Sequence, residues 1–266
     1  MTLGGVLVPL VTPLTETGEV SGACVAALVE SVRPHAAGLL PGLSTGEGLR
    51  LSQRQWSDML SATVEHARGL PVIAGVLLAD AARIAERVAG VADRLDGVAV
   101  APPFRSHASS RATQDHAYAH FSALRSATAA PILIYNESHL SGVTMNVQTI
   151  RRVCDLGGVV AIKESSGHID TGRELAATAG VPVFQGWERL LADSAPLAGS
   201  AVGLANLEPA LCARTQREPS ATAARAVTDA VCRYGLDGPT WYRNVKRELV
   251  SRGVIRTSAV AGEAGA

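Results

Sequence analysis

Val159-Val160-Ala161-Ile162-Lys163-Glu164-Ser165-Ser166-Gly167 is the stretch from which fold and chemistry can be read together. Its β-branched apolar run lacks polar alternation, the pattern of a strand buried on both faces of a parallel sheet. The Ser and Gly residues that follow mark the loop beyond it. Lys163 stands where that strand ends. Desolvation there penalises the ammonium form, lowers the pKa and leaves an amine able to attack carbonyls. The competing reading is a lysine that snorkels to the surface or pairs with a buried acid.

The same kind of segment recurs along the chain. Strands are expected at 5–10, 38–43, 72–75, 97–101, 132–135, 159–163, 183–185 and 201–204. Amphipathic, Ala-rich segments at 21–32, 52–66, 81–94, 111–128, 146–154, 169–177 and 188–197 alternate with them as helices. Such alternation reads as parallel βαβ units, and eight of them close a (β/α)8 barrel of the TIM type. Residues 208–236 and 239–251 supply more helix than one unit needs. The expected organisation is therefore an α/β barrel over 1–206, with additional C-terminal helices over 207–266 packed on its outside as one structural unit. An open doubly wound sheet is disfavoured. Leu10-Val11-Thr12-Pro13-Leu14 follows the first strand where that fold usually carries a Gly-rich phosphate turn.

Composition narrows the function classes. The 266 residues are 47% hydrophobic but only 4% aromatic, so the core must be built from Ala, Val and Leu. Basic and acidic residues balance at 24 each, which leaves no basic field for nucleic acid and no polybasic membrane patch. No apolar run is long enough to span a bilayer, and the N-terminus lacks a charged segment followed by a long apolar one. A cytoplasmic protein is expected. Cys24, Cys154, Cys212 and Cys232 are far apart and form no CxxC pair, so they read as reduced thiols buried in helices. His116 and His120 have helical i,i+4 spacing but no neighbouring acid ligand, and no metal site is expected.

A barrel presents its catalytic groups where strands run into βα loops. The second strand is followed by Pro41-Gly42-Leu43-Ser44-Thr45-Gly46-Glu47-Gly48, and the fifth by Tyr135-Asn136-Glu137-Ser138-His139. The seventh runs into Gln185-Gly186-Trp187-Glu188. Hydroxyl residues beside glycine let backbone N–H groups approach an anion, so Ser44 and Thr45 can hold a small carboxylate, although most such loops are simple turns. Tyr135 can act as a general acid/base, its proton passed through a neighbouring hydroxyl such as Thr45. Taken alone it reads more readily as an interfacial tyrosine with a satisfied hydroxyl than as a catalytic group. Lys163, Tyr135 and Thr45 together form the candidate catalytic set, and Ser44, Thr45, Gly186, Glu188 and Ala201 the candidate substrate-binding set.

In the order and spacing of these motifs the chain resembles the dihydrodipicolinate synthase / N-acetylneuraminate lyase family of class I aldolases. The matching pieces are Ser44-Thr45-Gly46-Glu47, Tyr135-Asn136, Ile162-Lys163-Glu164, Gln185-Gly186 and Ala205-Asn206 with Pro209. Val8-Pro9-Leu10-Val11-Thr12-Pro13 and Val245-Lys246 with Gly253 extend the likeness to both ends. The resemblance implies a lysine Schiff base between Lys163 and pyruvate or a related 2-oxo acid, with Tyr135 relaying protons and the Ser44–Thr45 loop holding the carboxylate. The imine is its own electron sink, so no cofactor is implied. It further implies a homo-oligomer, dimer or tetramer, and an aldehyde as second substrate.

Several positions depart from the family pattern. Leu43 replaces a usual glycine and is expected to narrow the pocket. Ala101-Pro102-Pro103-Phe104 ends without the second tyrosine of the family's proton relay. Leu140 stands where the synthase carries an arginine for the incoming substrate's carboxylate, a loss of about 1.5–3 kcal/mol per charge-assisted bond. Arg105 and His107 could compensate or could be solvated loop charges. Trp187 can wall the pocket, and Glu188, with Glu137 more weakly, can bind hydroxyl groups. The leading reading is aldol cleavage or condensation. The alternatives are a dehydratase or deaminase, or dihydrodipicolinate synthase itself, using the same imine, and a silent member serving as a binding or scaffold protein. Retention of Lys163, Tyr135 and Thr45 together favours an enzyme, since a scaffold does not require a buried amine beside a phenol.

Overall fold

The strands are short, and their side chains divide by parity rather than by polarity. The computed structural model describes residues 3–104 and 109–263. Its strands are β1 (Gly5–Val8), β2 (Gly38–Leu39), β3 (Ile73–Gly75), β4 (Gly97–Val100), β5 (Ile132–Asn136), β6 (Val159–Glu164), β7 (Val183–Gln185) and β8 (Gly199–Ser200). All pairings are parallel, in the order β2-β1-β8-β7-β6-β5-β4-β3. A parallel bridge between Leu39 and Val72 then joins β2 to β3 and closes the barrel.

Leu7, Ile73, Ala99, Leu133, Ala161 and Phe184 fall in one interior cluster. Their chain neighbours Val6, Val8, Val98, Val100, Ile132, Ile134 and Ile162 fall in the clusters beneath the helices. The pleat imposes this period of two, and because both faces are covered, both are apolar.

Around the barrel run α1 (Gly22–Val32), α2 (Gln53–His66), α3 (Ala81–Ala89), α4 (Ser110–Ala127), a single turn α5 (Ser138–Ser141), α6 (Val147–Cys154) and α7 (Ile169–Thr178). After β8 come α8 (Pro209–Arg217), α9 (Ala221–Tyr234) and α10 (Trp241–Ser251). Side-chain N-caps start many of them: Ser21, Ser52 with its reciprocal partner Gln55, Asp80, Ser109, Asn146 and Ser220.

Several boundaries differ from the sequence reading, each for a physical reason. β1 and β2 stop short of residues 10 and 43 because Pro9 and Pro41 have no N–H for the ladder. The expected eighth strand at 201–204 lies earlier, at Gly199–Ser200, and Gly203–Asn206 winds into a 3₁₀ turn. A Cβ on Gly199 would lie 1.9 Å from the Gly5 carbonyl oxygen, so the real strand cannot carry an apolar signature there. The segment 188–197 forms a 3₁₀ turn, Glu188–Asp193, instead of a helix, with Pro196 closing off any continuation. α9 packs over that turn and covers this part of the barrel wall. The helix expected over 81–94 ends at Ala89 before Gly90. Cys24 and Cys212 are buried as expected, but Cys154 is half-buried and Cys232 is exposed on α9. No helix is long and apolar enough to cross a membrane, among the described residues.

α10 is tied to the loop after β2. Lys246 is fully buried, forms an ion pair with Glu47 and donates to the Ala259 carbonyl at 2.6 Å. The other Glu47 oxygen accepts the Ala261 N–H at 2.6 Å. Glu47 itself sits at φ 62°, a left-handed conformation that a non-glycine residue holds only when its surroundings fix it. Lys246→Met leaves that carboxylate buried without its cation. The expected cost is about 3–5 kcal/mol. It is to be read as a lower urea midpoint, and an unchanged midpoint would show that the pair contributes nothing to stability.

Candidate active site

Parallel pairing sets Tyr135 opposite Lys163 at the ends of β5 and β6, and the pleat sends both side chains inward. The Lys163 Nζ lies 4.3 Å from the centroid of the Tyr135 ring. Burial lowers the Lys163 pKa to about 8, against the opposing pull of Glu188 and Glu137. Burial also raises the Tyr135 phenol well above its ordinary value, Glu137 adding to the effect and the Ser44 hydrogen bond opposing it. At neutral pH the phenol therefore remains a proton donor. Roughly a tenth of the amine is then free.

The Tyr135 hydroxyl is 2.9 Å from the Ser44 hydroxyl. The hydroxyl joined to the phenol is thus Ser44, where the sequence suggested Thr45. Thr45 is buried in the same cavity wall. Their loop is anchored beneath by Thr12, whose hydroxyl donates to the Gly46 carbonyl at 2.7 Å. A Cβ on Gly46 would lie 2.7 Å from the Leu10 carbonyl oxygen, so the loop approaches the end of β1 as only glycine permits.

One cavity of about 740 Å³ takes in Ser44, Thr45, Tyr135, Lys163, Gly186, Glu188 and Ala201. Every candidate site residue read from the sequence therefore reaches the same space. Gly186 is required sterically, since a Cβ there would be 1.7 Å from the Ser165 hydroxyl oxygen. Burial raises the Glu188 pKa, while backbone N–H groups, including that of Leu204 at 3.3 Å, and the Lys163 charge lower it.

The departures fall out differently. Leu43 is fully buried in the interior cluster and does not line the cavity, so it does not narrow the pocket. Phe104, half-buried, rests against that same cluster, as does Leu140, which also reaches the cavity wall. Arg105 and His107 lie outside the described residues. Both oxygens of Glu137 are engaged by its own helix turn, accepting the N–H groups of His139 at 2.8 Å and Leu140 at 2.5 Å. Trp187 is held in place by its indole N–H, which donates to the Ser165 carbonyl at 2.7 Å.

Arg50, Trp241 and Tyr242 also line the cavity and escaped the sequence reading. Trp241 and Tyr242 open α10, far along the chain from the strand ends, and no local motif marks them. Asn136 and Glu164, quoted as motif residues, face away from the cavity. Asn136 donates to Glu164 at 2.8 Å and bonds the Met145 backbone both ways. Asn206 bonds the backbone of Pro9 and Val11 and so fastens the end of β8 to that of β1.

Comparison with known proteins gives the family and the fold. A model of the dihydrodipicolinate synthetase family matches residues 2–214. The chain belongs to that family. It is 33% identical, over 80% of its length and 74% of the other, to a 4-hydroxy-tetrahydrodipicolinate synthase of Acidiphilium cryptum. Its fold matches the dihydrodipicolinate synthase structure of Bacteroides thetaiotaomicron with a TM-score of 0.86 at 22% identity, covering 99% of this chain and 94% of that one. The Acinetobacter baumannii dihydrodipicolinate synthase, solved in complex with pyruvate, gives the same TM-score and identity, covering 97% and 92%. Membership of the dihydrodipicolinate synthetase family makes the chain an enzyme, a lyase of the aldolase type.

Gly186→Ala is expected to lower stability by about 1–3 kcal/mol through overpacking against Ser165. Adding Ser165→Gly should return part of that loss in urea unfolding. A single variant as stable as the parent would mean that the close approach is not enforced.

Proposed function

We propose that this chain makes or breaks a carbon–carbon bond beside the keto group of pyruvate or a related 2-oxo acid, through an imine at Lys163. The observation that carries this reading is the buried amine against the ring of Tyr135, whose hydroxyl is joined to that of Ser44, all three lining one cavity. The free amine attacks the keto carbon, and the tetrahedral adduct loses its oxygen as water after protonation by the Tyr135–Ser44 pair. The resulting protonated imine draws the electron pair of the neighbouring bond into an enamine, so a C–C bond breaks or a C–H proton leaves. Backbone N–H groups and hydroxyls of Ser44 and Thr45 hold the carboxylate and fix which face reacts. This route draws on no metal or organic cofactor. The pyruvate complex of the Acinetobacter protein supports pyruvate as the first ligand to try. Family likeness extends the proposal to a homo-oligomer, dimer or tetramer, which sedimentation velocity reads.

Borohydride reduction in the presence of pyruvate is expected to leave one reduced pyruvyl group, seen by intact mass on the parent and absent from Lys163→Ala. Absence of any adduct with pyruvate and with longer 2-oxo acids would sink the proposal. Because only the free amine attacks and its pKa is lowered to about 8, the rate of trapping should rise with pH. The expected slope is about tenfold per pH unit below that value, with a plateau above it. A pH-independent rate from 6 to 9 would contradict the assigned nucleophile. Tyr135→Phe should slow turnover by about 10²–10⁴-fold with the fold intact by circular dichroism. A loss smaller than tenfold would remove Tyr135 from the relay.

A further inference from the structure

The cavity is much larger than a three-carbon oxo acid requires, and its outer wall has a chemistry of its own. At about 740 Å³ it lies in the range of pockets that enclose ligands several times the size of pyruvate. The chain has only 3 Trp, 4 Tyr and 3 Phe. Yet Trp187, Trp241, Tyr135 and Tyr242 converge on this one space. Gly203 leaves room for the wall, since a Cβ there would come within 3.1 Å of the Trp241 ring. Leu49, the exposed large apolar side chain among the described residues, stands 52% exposed in the same lining.

Charge in the cavity points the same way. Glu137 and Glu188 both raise the Lys163 pKa against burial and line the same space, so carboxyl groups face a nascent enamine. Arg50, the arginine in the wall, is committed to Tyr242, with a hydrogen bond of 2.8 Å to its hydroxyl and the guanidinium 5.6 Å from its ring centroid. Leu140 offers the β5 loop an apolar face. Among the described residues, a second carboxylate would meet Glu188 and Glu137, while Arg50 and His139, the wall's cationic groups besides Lys163, are already partnered, His139 by Glu137 at 3.1 Å. An uncharged ring would meet apolar and π surface.

We infer that the second substrate is an uncharged aromatic aldehyde, seated against Trp187, Trp241 and Tyr242. This rests on the Lys163 imine proposed above. In the condensing direction the pyruvate-derived enamine carbon bonds to the aldehyde carbon, and the carbonyl π pair moves to the aldehyde oxygen. That oxygen takes a proton from the Tyr135–Ser44 pair, and water then releases the 4-hydroxy-2-oxo acid and regenerates the amine. Cleavage is the reverse.

The test measures kcat/KM with pyruvate and benzaldehyde, acetaldehyde or aspartate β-semialdehyde, product formation being followed by mass spectrometry, alongside borohydride trapping of pyruvate on the same sample. Benzaldehyde should exceed each of the others by about tenfold or more. The benzaldehyde-to-acetaldehyde ratio should fall at least about fivefold in Trp241→Ala, a ratio taken within one variant and so independent of how much of it is folded. Trapping that succeeds while the semialdehyde is preferred, no aldehyde reacts, or the ratio stays unchanged in the variant overturns this inference and leaves the imine standing. Failed trapping overturns both.

Discussion

The register of β5 against β6 is the constraint on which the site depends. Two successive rungs of that ladder pair Tyr135 with Lys163 and Asn136 with Glu164. The pleat turns the first rung into the barrel and the second outward. Inside, an amine and a phenol share a dry space. Outside, the amide and carboxylate hydrogen-bond at 2.8 Å, and their remaining oxygens take the backbone N–H groups of Met145 and Ser166. A slip of one residue would reverse the faces of every side chain on the strand, so the outward pair holds in place what the inward pair uses.

Burial then does opposite things to the two inward groups. It disfavours the lysine's charge and the tyrosine's charge alike, which means a lower pKa for one and a higher pKa for the other. In the proposed reaction a nucleophile must be unprotonated and a relay acid must still hold its proton, so a single low-dielectric environment would suit both proposed roles. Glu137 and Glu188 limit how far the amine falls. The loop bearing Ser44 is held from below by Thr12 and from the C-terminal side by the buried Glu47–Lys246 pair, which keeps its hydroxyl within reach of the phenol.

What the sequence reveals and what it hides follow from the same geometry. A two-faced apolar strand is easy to recognise, and so the barrel and the residues at its strand ends were legible from composition and spacing. Strand limits at Pro9 and Pro41 were legible in principle, because a missing N–H ends a ladder. β8 was not, since close packing on Gly5 strips it to glycine and serine. The choice of Ser44 over Thr45 as the phenol's partner is a matter of side-chain direction that adjacent hydroxyl residues do not encode in their order. The outer wall was hidden for another reason: Trp241 and Tyr242 arrive from α10, whose placement rests on long-range contacts such as Lys246 with Glu47.

The most direct test of the central claim is a crystal structure of the enzyme soaked with pyruvate. The account predicts continuous density from the Lys163 Nζ to the keto carbon, with the carboxylate on the Ser44–Thr45 loop and the Tyr135 hydroxyl beside the new bond. Pyruvate bound elsewhere, or lying in the cavity without a link to Lys163, would contradict it.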